Sequence, residues 1–77
     1  MRRKGEIIYG FEVVCSRKLV ELNDGEMPMH FGSFSSKLAR TDMVAYKSLA
    51  ADYYNTLSFE EKEFMRNYDS QFRQAIL

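Results

Sequence analysis

The sequence predicts a small α+β domain: a three-stranded antiparallel β-meander followed by an αα-hairpin packed on one face. Three observations carry that prediction. Ile7, Tyr9, Phe11, Val13 and Cys15 alternate with positions that include Glu6, Gly10 and Glu12, the period of a half-buried strand. Asn23-Asp24-Gly25 supplies the positive φ angles of a tight hairpin turn. Ser58 followed by Glu61 forms a capping box, and behind it Phe64, Tyr68, Phe72 and Ile76 recur every fourth residue with Met65 beside them. That last pattern is one apolar face of a helix with its start signal attached.

Residues 1–5 read as a flexible basic arm ending in Gly5, and residues 6–77 as a single small domain. The first strand runs from Glu6 to Cys15, rich in β-branched and aromatic side chains. Gly10 inside it suggests a bulge or a close backbone contact. Phe11, Val14, Cys15, Leu19 and Leu22 also fit a helical face, interrupted by Lys18. Residues 11–22 therefore fit either strand-turn-strand or helix, and the Val13-Val14 pair weighs toward strand. In the strand reading Ser16-Arg17 is a tight connection and Lys18–Leu22 a second strand. Glu26–Phe31 is the third, placed at an edge because Pro28 cannot donate a ladder hydrogen bond.

Gly32 to Arg40 has the composition of a loop, with Phe34 and Leu38 pinning it to the core. Thr41 then caps a helix, and Asp42 favours the positive end of its dipole. Met43, Tyr46, Ala50, Tyr53 and Leu57 make its apolar stripe. Residues 55–58 break it and cap the second helix, which runs toward Leu77. Glu60, Glu61 and Glu63 stand in that helix's first turn and Arg73 in its last, as the dipole favours. A link this short joins the two helices as an antiparallel hairpin. Phe64, Tyr68 and Phe72 are the expected core of this half.

Seventy-seven residues make one domain, and 45% hydrophobic with 14% aromatic content lets it build a core without staples. Eleven basic residues balance eleven acidic ones, so no general attraction to nucleic acid or anionic membrane is expected. Residues 1–40 hold seven basic and five acidic side chains, and residues 41–77 hold four and six, an asymmetry too small to name a partner. The lone Cys15 excludes an internal disulfide. The basic start is followed by no signal-peptide core, and no apolar run reaches the roughly 20 residues that span a bilayer. The expected location is the cytoplasm.

The chemistry of an enzyme is not visible. His30 is the only histidine and stands apart from any nucleophile. Cys15 is expected to be a buried, inert thiol. Glu60, Glu61 and Glu63 are explained by the helix dipole. Residues 23–26 lack the alternate ligands and terminal Glu of a calcium loop, and the four glycines never group as a phosphate cradle does. No cofactor and no metal is expected.

These features describe a small non-catalytic protein-binding module, an adaptor, inhibitor or regulator of the kind found among accessory proteins of phages and mobile elements. Its partner is another protein or a second copy. Candidate contact residues are Tyr46, Tyr53, Tyr54 and Phe59, because two helices and one sheet face cannot bury every ring. The alternative is a nucleic-acid-associated regulator. It uses the basic arm (Arg2, Arg3, Lys4), Arg17, Lys18, Lys37 and Arg40, with Tyr9 and Phe11 as stacking platforms on the sheet face. That signal is weak in a neutral chain. The three glutamates that open the last helix also sit where a recognition helix would approach DNA.

Overall fold

The alternation at the start of the chain is helical. A computed structural model describes residues 1–29 and 32–77. Among these residues it contains five helices and no strand: α1 Lys4–Leu22, α2 Phe34–Thr41, α3 Met43–Asn55, α4 Phe59–Tyr68 and α5 Ser70–Ile76. The α+β meander is therefore overturned. Its third strand falls partly on His30 and Phe31, which lie outside the described residues. The segment before them, Glu26–Met29, adopts neither helix nor strand.

The physical reason is a coincidence of periods. Ile7, Phe11, Cys15 and Leu19 belong both to a period of two and to a period of four. All four are buried along one face of α1. What decides between the readings is the absence of a breaker. Ser16-Arg17 contains no Gly, Pro or Asn, so nothing stops a helix until Asn23. Asp24 and Gly25 do adopt positive φ angles, 53° and 89°, but they serve a helix end. The Gly25 amide donates to the Val20 carbonyl at 2.8 Å, the long bond of a Schellman stop. The turn chemistry is right and its role is different.

The serine-rich segment also becomes helix. Ser33 caps α2 by accepting from the Ser36 amide. Glu12 of α1 adds a second cap, its carboxylate accepting from the amides of Phe34, at 2.6 Å, and Ser35. Serines that look like loop residues are the start of a short helix. Leu38 is fully buried and Phe34 packs against the core. The next cap is Asp42, accepting from the Ala45 amide at 3.1 Å, while Thr41 closes α2. The capping box at Ser58 and Glu61 forms as the sequence indicates. The final helix breaks at Asp69, whose extended backbone ends α4 and whose carboxylate caps α5 through the Gln71 and Phe72 amides.

Contacts along α1 set the layout. Tyr53 reaches Ile7, near the start of α1, while Leu49 lies beside Val14 and Lys18, so α3 runs antiparallel to α1. Glu61 meets Arg2 and Phe64 meets Lys4, so α4 starts beside the start of α1. The core centres on Phe11. Its ring lies 5.1 Å from Phe72 and 5.8 Å from Tyr46, both edge-on, and 5.3 Å from Tyr53. Of the three aromatics expected to be buried on the last helical face, Phe72 is fully buried, Phe64 half-buried, and Tyr68 59% exposed. The break at Asp69 explains the split, because α5 turns Phe72 inward and leaves Tyr68 at the end of α4.

Two stability predictions follow from this packing. Phe72→Ala removes a ring shared by α1, α3 and α5 and is expected to cost about 3–5 kcal/mol in chemical denaturation. The second concerns Gly10, where an added Cβ would lie 2.5 Å from the Tyr53 hydroxyl. That hydroxyl donates to the Ile7 carbonyl at 2.7 Å. Gly10→Ala is thus expected to lower stability although alanine is the better helix former. In a Tyr53→Phe background the same change is expected to raise stability by up to about 1 kcal/mol. A double-mutant cycle measured by urea titration checks both signs.

A candidate protein-binding surface

The surface is assembled where α1 and α4 begin. Ser58 opens α4, and Glu61 returns to the Ser58 amide at 2.9 Å. The other carboxylate oxygen of Glu61 accepts from both the backbone amide and the Nε of Arg2, at 3.1 and 2.9 Å. Glu61 is buried yet charged. Its hydrogen bond from the Arg2 side chain, followed by those from the Ser58 and Arg2 amides, lowers its pKa from 4.5 to about 2. The first residues of the chain are tied to α4 through this contact.

That tie fixes an aromatic ridge. Phe64 and Tyr68 are one turn apart on α4 and their rings stack at 5.5 Å with a 29° tilt. The Lys4 ammonium lies 5.6 Å from the Phe64 ring centre, a cation–π contact. Glu60, Glu63 and Asn67 line the same depression with Met1. Phe59, at the first position of α4, is 76% exposed. The ridge itself is the Phe64–Tyr68 pair with Glu60 and Glu63 beside it, and Phe59 stands apart from it around the helix. Periodicity assigned Phe64 and Tyr68 to the core, so sequence reasoning missed them as surface residues. The signal that finds them is the Asp69-Ser70 cap, which halves the helix and frees its first part from the packing demand of the second.

Each candidate ring has a definite place. Tyr46 is fully buried, and its hydroxyl has no hydrogen-bond partner among the described residues. Burial, reinforced by Asp69, Cys15 and Glu12, raises its pKa far above the usual phenol range. Tyr53 is half-buried and held by Ile7. Tyr54 is half-buried, accepts from Arg66, and lies under the Lys62 ammonium at 5.1 Å. Phe59 alone of the four is open to solvent. α4 brings Phe64 and Tyr68 together and carries Phe59 on its opposite side, while Tyr46 and Tyr53 belong to the packing around Phe11.

The basic candidates fall on three segments, the chain start, α1 and α2. Arg2 pairs with Glu61, Lys4 covers Phe64, and Lys18 pairs with Glu21 at 3.1 Å. Arg3 precedes α1 and is exposed. Arg17 is exposed on α1, about 20 Å of helix axis from Lys4. Lys37 and Arg40 stand one turn apart on α2. Cys15 is buried, and burial with nearby Glu12 and Asp69 pushes its thiol up to about 12, so it stays protonated. No group of three or more His, Cys, Asp or Glu able to hold a metal occurs among the described residues. There too, no helix is long and apolar enough to cross a membrane.

Comparison with protein-family models, with curated proteins and with solved structures found no match.

The Glu61 contact yields a pH prediction. Its folded-state pKa lies below its unfolded value, so the stabilisation is complete above pH 4.5 and is lost as pH falls toward about 2. Glu61→Gln keeps the shape and one acceptor but not the titration. Wild type is expected to lose stability more steeply than Glu61→Gln across that window, as read by urea midpoints at successive pH values.

Proposed function

We propose that the chain is a small, non-catalytic, cytoplasmic protein-binding module that acts as an adaptor, inhibitor or regulator by covering a partner's surface. The observation that carries this reading is the stacked Phe64–Tyr68 pair on α4, with Phe59 exposed on the same helix. Accessible aromatic rings are the side chains that most often anchor protein interfaces. They supply large contact area with few rotatable bonds. Glu60 and Glu63 between them select against acidic partners and suit an apolar segment flanked by Lys or Arg.

A buried, protonated Cys15 supports the non-catalytic part of this reading. The pairing of Arg2, Lys4 and Lys18 within the fold speaks against the alternative of a phosphate-binding array, because those charges already have neighbours.

A photo-crosslinking residue placed at Tyr68 in cells is expected to give one discrete protein adduct. Adding Phe64→Ala is expected to abolish it, and the same probe at exposed Ser48 is expected to give none. No adduct from Tyr68, or equal adducts from Ser48, overturns the reading. So does a specific nucleic-acid complex of about 10⁻⁸ M or tighter at physiological salt.

A further inference from the structure

A second exposed surface lies on the outer side of α1. Glu6, Tyr9, Val13 and Arg17 follow one another at spacings of three and four, the stripe of one helix face. This stripe is separate from the buried one of Ile7, Phe11, Cys15 and Leu19. Tyr9 is 70% exposed, Glu6 and Arg17 are exposed, and Val13 is half-buried. A tyrosine and a valine thus face outward on the longest helix of the fold, between two opposite charges.

Those charges, Glu6 and Arg17, are not used in an ion pair among the described residues. Glu21, one turn beyond Arg17, is held by Lys18. Glu6 stands in the first turn of α1, where the helix dipole favours it. That accounts for its charge but not for the exposed ring of Tyr9.

We infer that the outer face of α1 docks on the same face of a second copy, with the two helices antiparallel. Glu6 and Arg17 are eleven residues apart, which is three turns and about 16 Å along one face. A two-fold axis midway between them sets Glu6 of each protomer opposite Arg17 of its partner, giving two equivalent ion pairs. The same axis sets each Tyr9 within one residue, about 1.5 Å along the helix, of the partner's Val13, so the centre is apolar and the ends are charged. A parallel pairing would oppose Glu6 to Glu6 and Arg17 to Arg17, and is selected against. One helix per protomer makes a contact at the small end of the interface range. The association is therefore reversible, concentration-dependent and weakened by salt.

Charge reversal tests the geometry by sedimentation equilibrium from micromolar to millimolar protein, with circular dichroism confirming that each variant is folded. Wild type is expected to self-associate. Glu6→Arg alone and Arg17→Glu alone each turn two attractive contacts into repulsive ones and are expected to weaken association by about tenfold or more. An equimolar mixture of the two single variants is expected to regain wild-type association as a heterodimer, and so is the double variant with itself. Wild type that stays monomeric at millimolar concentration overturns the inference. So does undiminished association of either single variant, or single variants that fail to rescue each other in the mixture. None of these outcomes depends on the ridge of α4, whose rings are unchanged in every variant.

Discussion

The ring of Phe11 is the contact on which the remaining structure depends. It stands near the middle of α1 and meets Tyr46 and Tyr53 of α3 and Phe72 of α5. Edge-on aromatic pairs contribute beyond the area that they bury. In a chain this short, burial is scarce, and one ring that satisfies three partners orders two helices against a third. Phe72 can reach it only because the backbone turns at Asp69. Tyr46 is drawn in so far that its hydroxyl goes without a hydrogen bond among the described residues, a polar cost that the surrounding packing outweighs.

Around this apolar centre, α1 also organises the polar ends of its neighbours. Its own start lacks a side-chain cap. Glu12 nevertheless caps α2 from a distance of more than twenty residues in sequence, and Arg2 engages the carboxylate that closes the capping box of α4. The first contact couples the start of a short helix to α1, and the second couples another to the residues just before α1. Helices of seven to ten residues are unstable alone, so α2, α4 and α5 exist because their first turns are held as well as their apolar faces.

The C-terminal half was more legible in the sequence than the N-terminal half, for a physical reason. Ser58 and Glu61 are a reciprocal pair whose meaning does not depend on the rest of the fold. Met43, Tyr46, Ala50 and Leu57 carry a helical period that matches no strand. Ile7, Phe11, Cys15 and Leu19 carry a period that matches both. Only the lack of a breaker at Ser16-Arg17 separates the two, and β-branched Val13 and Val14 pull the reading the wrong way. Tertiary packing overrides that propensity, because α1 has helices to bury against and no second strand to pair with. The Asp24-Gly25 turn was legible as backbone geometry but ambiguous in use, since a positive φ ends helices as well as hairpins. The surface was least legible. Which tyrosine faces outward depends on where α4 stops, and that is decided by one cap at Asp69.

The distribution of aromatic rings links the fold to its surfaces. Phe11, Tyr46, Tyr53 and Phe72 are consumed by the centre, and Tyr54 is covered by Lys62 and Arg66. Tyr9, Phe59 and Tyr68 are left over, and these three are the most exposed rings among the described residues. Tyr9 lies on α1, and Phe59 and Tyr68 lie on opposite sides of α4. Ile8, which borders Tyr68, and Val13, which borders Tyr9, lie about 140° apart around α1. A contact on one side therefore does not cover the other. A chain that pairs through α1 still presents α4 outward, and pairing turns one aromatic ridge into two on a single particle. Two linked sites bind a repeated or oligomeric target more tightly than either alone when the geometry lets both engage. In so small a protein, that is a physical route from a modest surface to effective binding.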